Sequence, residues 1–118
     1  MSTVAKVDIS IVKAATFRHK FTWQQVDGTP IDLTGYTAKM QIRPTLESST
    51  VLVELSTANR RILMTPLLGV VELDLTAAYT AAITWKSGIY DIELTAPDGD
   101  IINLVEGSAT VSTKVTRE

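Results

Sequence analysis

The stretch YDIELTAPDGDIINLVEGSATVS, residues 90–112, decides the fold. Tyr90, Ile92 and Leu94 alternate with Asp91, Glu93 and Thr95, the period of a half-buried strand. Pro97-Asp98-Gly99-Asp100 then supplies turn chemistry, with Gly99 suited to a positive φ. Beyond the turn, Ile102 and Leu104, then Ala109, Val111 and Val115, read as a long closing strand. Its inward parity slips by one residue. The reading places a bulge near Glu106-Gly107.

The same period runs upstream. Val7, Ile9 and Ile11 form one face, Phe17, His19, Phe21 and Trp23 another, and Tyr36, Ala38, Met40 and Ile42 a third. Pro44 removes a ladder donor and ends that strand. Val51, Val53 and Leu55 follow, then a short run over Arg61 to Met64, then Val71, Leu73 and Leu75. The alternation breaks only at Thr76–Ile83. There Thr76 can cap, the alanines favour helix, and Tyr79 and Ile83 share a face. Trp85 is expected as an anchor beneath that helix.

The expected fold is therefore all-β: an immunoglobulin-like antiparallel β-sandwich of about 7–9 strands, with one short helix at about 76–83 in a cross-sheet connection. Phe21, Trp23, Met40, Leu73, Tyr90, Ile92 and Val111 are expected in its core. The 118 residues make one domain, 1–118, whose termini 1–6 and 116–118 are expected to be flexible or to contact partners.

Composition narrows the function classes. The chain is 45% apolar and 20% charged, as globular domains are. Its 17 threonines favour strands. A net charge of −2 argues against general affinity for nucleic acid or an anionic membrane. No cysteine is present, so disulfides and thiolate metal sites are excluded. The N-terminus carries a charge in its first apolar stretch and is not read as a signal peptide.

Chemistry-bearing groups are sparse. Asp91, Glu93, Asp98 and Asp100 crowd one hairpin, but only the turn tripeptide Asp98-Gly99-Asp100 matches any part of a calcium loop. Solvated sheet and turn residues outweigh a metal or acid–base site. His19 is the only histidine, sits on an apolar face, and has no nucleophile-elbow motif to serve. Arg18, Lys20, Arg60 and Arg61 read as exposed strand charges that protect an edge. No catalytic, cofactor-binding or metal-binding residue is assigned.

The remaining signal is apolar. Leu67 and Leu68 sit beside Pro66 in a loop that a solvated connector would make polar. Leu52, Val70, Ile101 and Val105 fall on the wet parity of their strands. Two readings stand: these six residues contact a partner protein, or the loop folds over one end of the sandwich and buries its own leucines.

PIDLTGYTAKMQIRP (30–44), VLVELSTANRRI (51–62) and GVVELDLTAAYTAAITWKSGIYDIELTAPDGDIINLVEGSATVSTKVTR (69–117) resemble small proteins encoded in phage and prophage structural-gene clusters. The layout is also similar to the N-terminal module of siphophage upper-baseplate proteins. An aromatic strand, a G-x-P turn, an L-T-G connector, a Q-I-R strand and a Y-D-x-E-L hairpin occur in that order. The likeness covers Phe17 to Arg117. It departs at Asn59-Arg60, where the pattern has Asn-Gly, and at Tyr79, where it has an acid.

The resemblance implies a non-enzymatic virion structural protein of the tail, baseplate, neck/collar or fibre attachment. Such a protein is assembled in the host bacterial cytoplasm and docks on other virion proteins and on copies of itself. It implies no cofactor, nucleic acid or membrane. The alternative is a carbohydrate- or host-receptor-binding sandwich, which calls for exposed aromatics. A small hydrolase built on His19 ranks last.

Overall fold

The computed structural model describes residues 5–115. Within them, nine strands form two sheets. The strands are β1 (Ala5–Lys6), β2 (Ile9–Val12), β3 (Phe17–Thr22), β4 (Thr37–Arg43), β5 (Val53–Ser56), β6 (Ile62–Thr65), β7 (Val70–Leu75), β8 (Ser87–Thr95) and β9 (Ile101–Ser112). The larger sheet runs β1-β9-β8-β4-β5, with β2 continuing from β1 along β9, and the smaller runs β3-β7-β6. Inward faces of both meet in one core of Ile9, Ile11, Leu33, Met40, Ile42, Leu55, Ile62, Leu73, Leu75, Ile92 and Leu94. The fold is an all-β, immunoglobulin-like sandwich: the small sheet matches strands B-E-D of that arrangement, and β5-β4-β8-β9 its C′-C-F-G.

Alternation explains most of the burial. Ala38, Met40 and Ile42 are buried on β4, and Pro44 follows its last residue. Tyr90, Ile92 and Leu94 are buried on β8. The helix is shorter than expected. α1 spans Ala77–Ala81, with Thr76 as N-cap, whose Oγ1 accepts from the Tyr79 amide at 3.1 Å. It carries the chain from the small sheet to the large one. Buried Thr80 anchors it by donating to the Ala15 carbonyl at 2.8 Å. Tyr79 lies under Arg61, whose guanidinium is 4.3 Å from the ring centroid.

Four expectations are corrected. The sheet is not wholly antiparallel: β1 and β2 pair parallel with β9, Ala5 opposite Val105 and Ile9 opposite Ala109. Periodicity states which face a residue takes but not which strand it meets. The bulge sits at Leu104, not Gly107, because Ile92 pairs with Val105 while Glu93 pairs with Asn103. Gly107 has a different task. A Cβ there would lie 2.0 Å from the Val7 carbonyl oxygen, where the chain breaks between β1 and β2. Phe21, Trp23 and Val111 are only partly buried against the core, since they lie near the open end or side of the sheets. Val115 lies beyond the end of β9 and is exposed.

Of the terminal stretches, Ala5–Lys6 form β1. Residues 1–4 and 116–118 lie outside the described residues.

Candidate functional site

The connection from β6 to β7 is a single 3-10 turn, Pro66–Leu68, with Pro66 leading and Gly69 closing it in the left-handed conformation. A turn this tight has no room to fold its side chains inward. Leu67 is 73% exposed and Leu68 56%. The turn is nonetheless anchored: Pro66 O accepts from the Leu33 amide at 3.0 Å, and Gly69 O accepts from the Trp23 amide at 2.8 Å. These bonds gather the 3-10 turn, the Trp23–Tyr36 connector and the start of β7 at one end of the sandwich. The β8–β9 hairpin reaches the same end, because Thr95 and Ile101 pair beside Thr37 at the start of β4. Ile101 is 67% exposed there.

The six candidate contact residues therefore separate. Leu67, Leu68 and Ile101 are exposed at the same end. Val70, the first residue of β7 beside them, is half-buried. Leu52 and Val105 belong elsewhere. Val105 is 2% exposed, because the bulge at Leu104 turns it into the core. Leu52 precedes β5, so strand alternation does not bind it. Its amide donates to Ile42 O at 2.7 Å, and its side chain packs on the core in a hollow with Tyr79, Ile83 and Trp85.

Sequence reasoning missed two features of this end. Val26 is fully exposed in the loop after β3, and its signal was an apolar residue set directly before the Asp27-Gly28 turn. The second is a cleft of about 150 Å³ between the edges of the two sheets, lined by Ala5, Phe21, Trp23, Ile102, Leu104 and Val105 among others. Nothing in a single strand's period announces a gap between sheets.

The carboxylates of the hairpin do not converge. Asp98 Oδ1 accepts from the Asp100 amide at 3.0 Å, and Gly99 has φ 95°. Both belong to the turn. Asp91 and Glu93 lie on the outer face of the large sheet beside Lys39 and Gln41. That face is a lattice of charges, with Lys39–Glu54 and Lys6–Glu106 each at 3.9 Å and Arg43 donating to Gln41 at 2.8 Å. Among the described residues no group of three His, Asp or Glu is placed to hold a metal. His19 packs between Phe17 and Phe21, with ring centroids at 6.5 and 4.6 Å. Among the described residues no helix is long and apolar enough to cross a membrane.

The N-terminal strands are fixed along the middle of β9, away from this end, by polar contacts. The Ser108 amide donates to Asp8 at 3.0 Å and holds its carboxyl below the usual range. The Tyr90 hydroxyl donates to the Val7 carbonyl. Burial, and then the charge of Asp8, push that phenol up to about 12.

No protein-family model and no curated protein matches the chain. Among solved structures it is similar to a chain in the crystal structure of ICOS in complex with ICOS-L and an anti ICOS-L VNAR domain, at 14% identity and a TM-score of 0.49. The match covers 94% of this chain and 56% of that one, so the chain spans little more than half the length of its structural neighbour.

Proposed function

We propose that the protein is a non-enzymatic bacteriophage virion component that docks on other virion proteins through the end of its sandwich. The carrying observation is the pair Leu67 and Leu68, held out on an anchored 3-10 turn with Ile101 exposed at the same end. Large apolar side chains grouped on a rigid scaffold mark a partner surface more often than isolated ones do. The resemblance to proteins of phage structural-gene clusters supplies the class of partner: tail, baseplate, neck or fibre proteins, or further copies of this chain.

The test is the double variant Leu67→Asp, Leu68→Asp in particle assembly, with circular dichroism as the fold control. A variant that folds but stays out of the particle supports docking at this end. One that assembles at the wild-type level removes it. A second reading, a glycan- or receptor-binding module, is favoured by one observation: Phe21 and Trp23 are half-exposed along the cleft. Glycan-array binding lost in Trp23→Ala would support that reading over docking.

A further inference from the structure

We infer that the edge of β3 away from β7 accepts an extended segment of a partner protein, one that alternates apolar and acidic residues. This goes beyond the docking reading, which places its contact at the Leu67–Leu68 end, and rests on it only for the premise that the protein works by binding a partner protein.

The backbone comes first. In the immunoglobulin arrangement a first strand, A, flanks strand B on the small sheet. Here the chain's first described strands both lie on β9 instead, and among the described residues β3 is paired on one side only, by β7. The Trp23 amide donates toward the β7 side, to Gly69 O. Amides along an antiparallel strand alternate in direction. Those of Arg18, Lys20 and Thr22, with their carbonyls, therefore point to the open edge. Such an edge is a template for another strand.

Side chains then select the occupant. Arg18 and Lys20 project from the outer face, opposite Asp74 and Glu72 of β7 in the strand register, and Arg18 meets Asp74 at 3.7 Å. The row already alternates acid and base across the sheet. An incoming strand with carboxylates on its outer face extends the alternation by placing them beside Arg18 and Lys20. Its inward residues face the cleft walled by Phe21, Trp23, Ile102 and Leu104. At about 150 Å³ the cleft accepts a benzene-sized apolar group. A second copy of the chain fits poorly here, since pairing β3 with β3 brings cationic side chains together.

The experiment uses the full chain, isotope-labelled, with short blocked peptides that alternate valine with glutamate or valine with lysine. The acidic peptide should slow hydrogen exchange at the Arg18, Lys20 and Thr22 amides and shift the Trp23 indole signal. The lysine peptide should bind about tenfold more weakly or worse. Lys20→Pro deletes an outward donor without touching the β7 ladder, and it should abolish the protection while leaving circular dichroism unchanged. Arg18→Glu with Lys20→Glu should reverse the preference between the peptides. Unchanged exchange at those amides overturns the inference, as does equal binding of both peptides. Protection that appears without peptide and rises with protein concentration also overturns it, in favour of a second copy. The assay contains no virion protein, so its failure is distinct from that of the leucine double variant in particle assembly.

Discussion

The hydroxyl of Tyr90, a buried side chain of β8, donates to the carbonyl of Val7 across 83 residues of sequence. It reaches the place where the N-terminal strand breaks, between β1 and β2. Tyr90→Phe should cost about 1–2 kcal/mol, because it leaves a carbonyl unpaired in a partly buried setting. The pH dependence has a definite sign. The phenol is raised from 10.0 to about 12 in the folded protein, so the fold favours its protonated form. That contribution is complete below pH 10 and is lost as pH rises toward 12. Denaturant midpoints measured across this window should fall for the wild type and fall less steeply for Tyr90→Phe.

Gly107→Ala should be more damaging than its size suggests. The added methyl meets backbone, the Val7 carbonyl, and backbone cannot rotate away as a side chain can. A loss of about 1–3 kcal/mol is expected, with the β1–β9 amides the first to lose exchange protection. Gly99→Ala is the contrast. No atom lies within 4 Å of a Cβ there, and only its φ of 95° opposes the change. The cost should stay near ~1 kcal/mol. Asp98→Asn keeps an acceptor for the Asp100 amide, so it should leave both the melting temperature and its response to calcium unchanged.

Arg60 adopts φ 64°, in the left-handed region that favours glycine. The position is exposed, and Asn59 beside it closes the turn by accepting from the Ser56 and Arg61 amides. Arg60→Gly relieves backbone strain and gives back part of the gain as unfolded-state entropy. A net stabilisation of about 0.5–1 kcal/mol is expected from thermal melts.

Val105→Asp and Ile101→Asp distinguish the two sides of the bulge. A carboxylate at Val105 enters the core and should prevent folding, while at Ile101 it should change stability by less than about 0.5 kcal/mol. Strand parity alone puts both on the wet face. That parity fails for Val105 because Leu104 is an extra residue, and only the pairing with β8 reveals which residue is extra. That limit recurs through the chain. The β8–β9 hairpin and the Thr76 cap are legible because each is written in local chemistry: alternation and a capping hydroxyl. The loop at Leu67 and Leu68 is legible as a loop, but its sequence leaves open whether the leucines face solvent or the core. The parallel docking of β1 and β2, the inward turn of Leu52 and the cleft beside Trp23 are not legible. Each is set by a strand or sheet distant in sequence.

The pairing of Ile9 with Ala109 and of Val12 with Ser112 has a consequence for how the molecule is made. Contacts this remote give the domain a high contact order, and such folds form slowly. While the chain emerges from the ribosome, β1 and β2 have no partner until β9 has been synthesised, and their apolar residues Ile9 and Ile11 wait uncovered. The hairpin of β8 and β9, local and register-locked, can form first and then serve as the template on which β1 and β2, synthesised earlier, are laid down last.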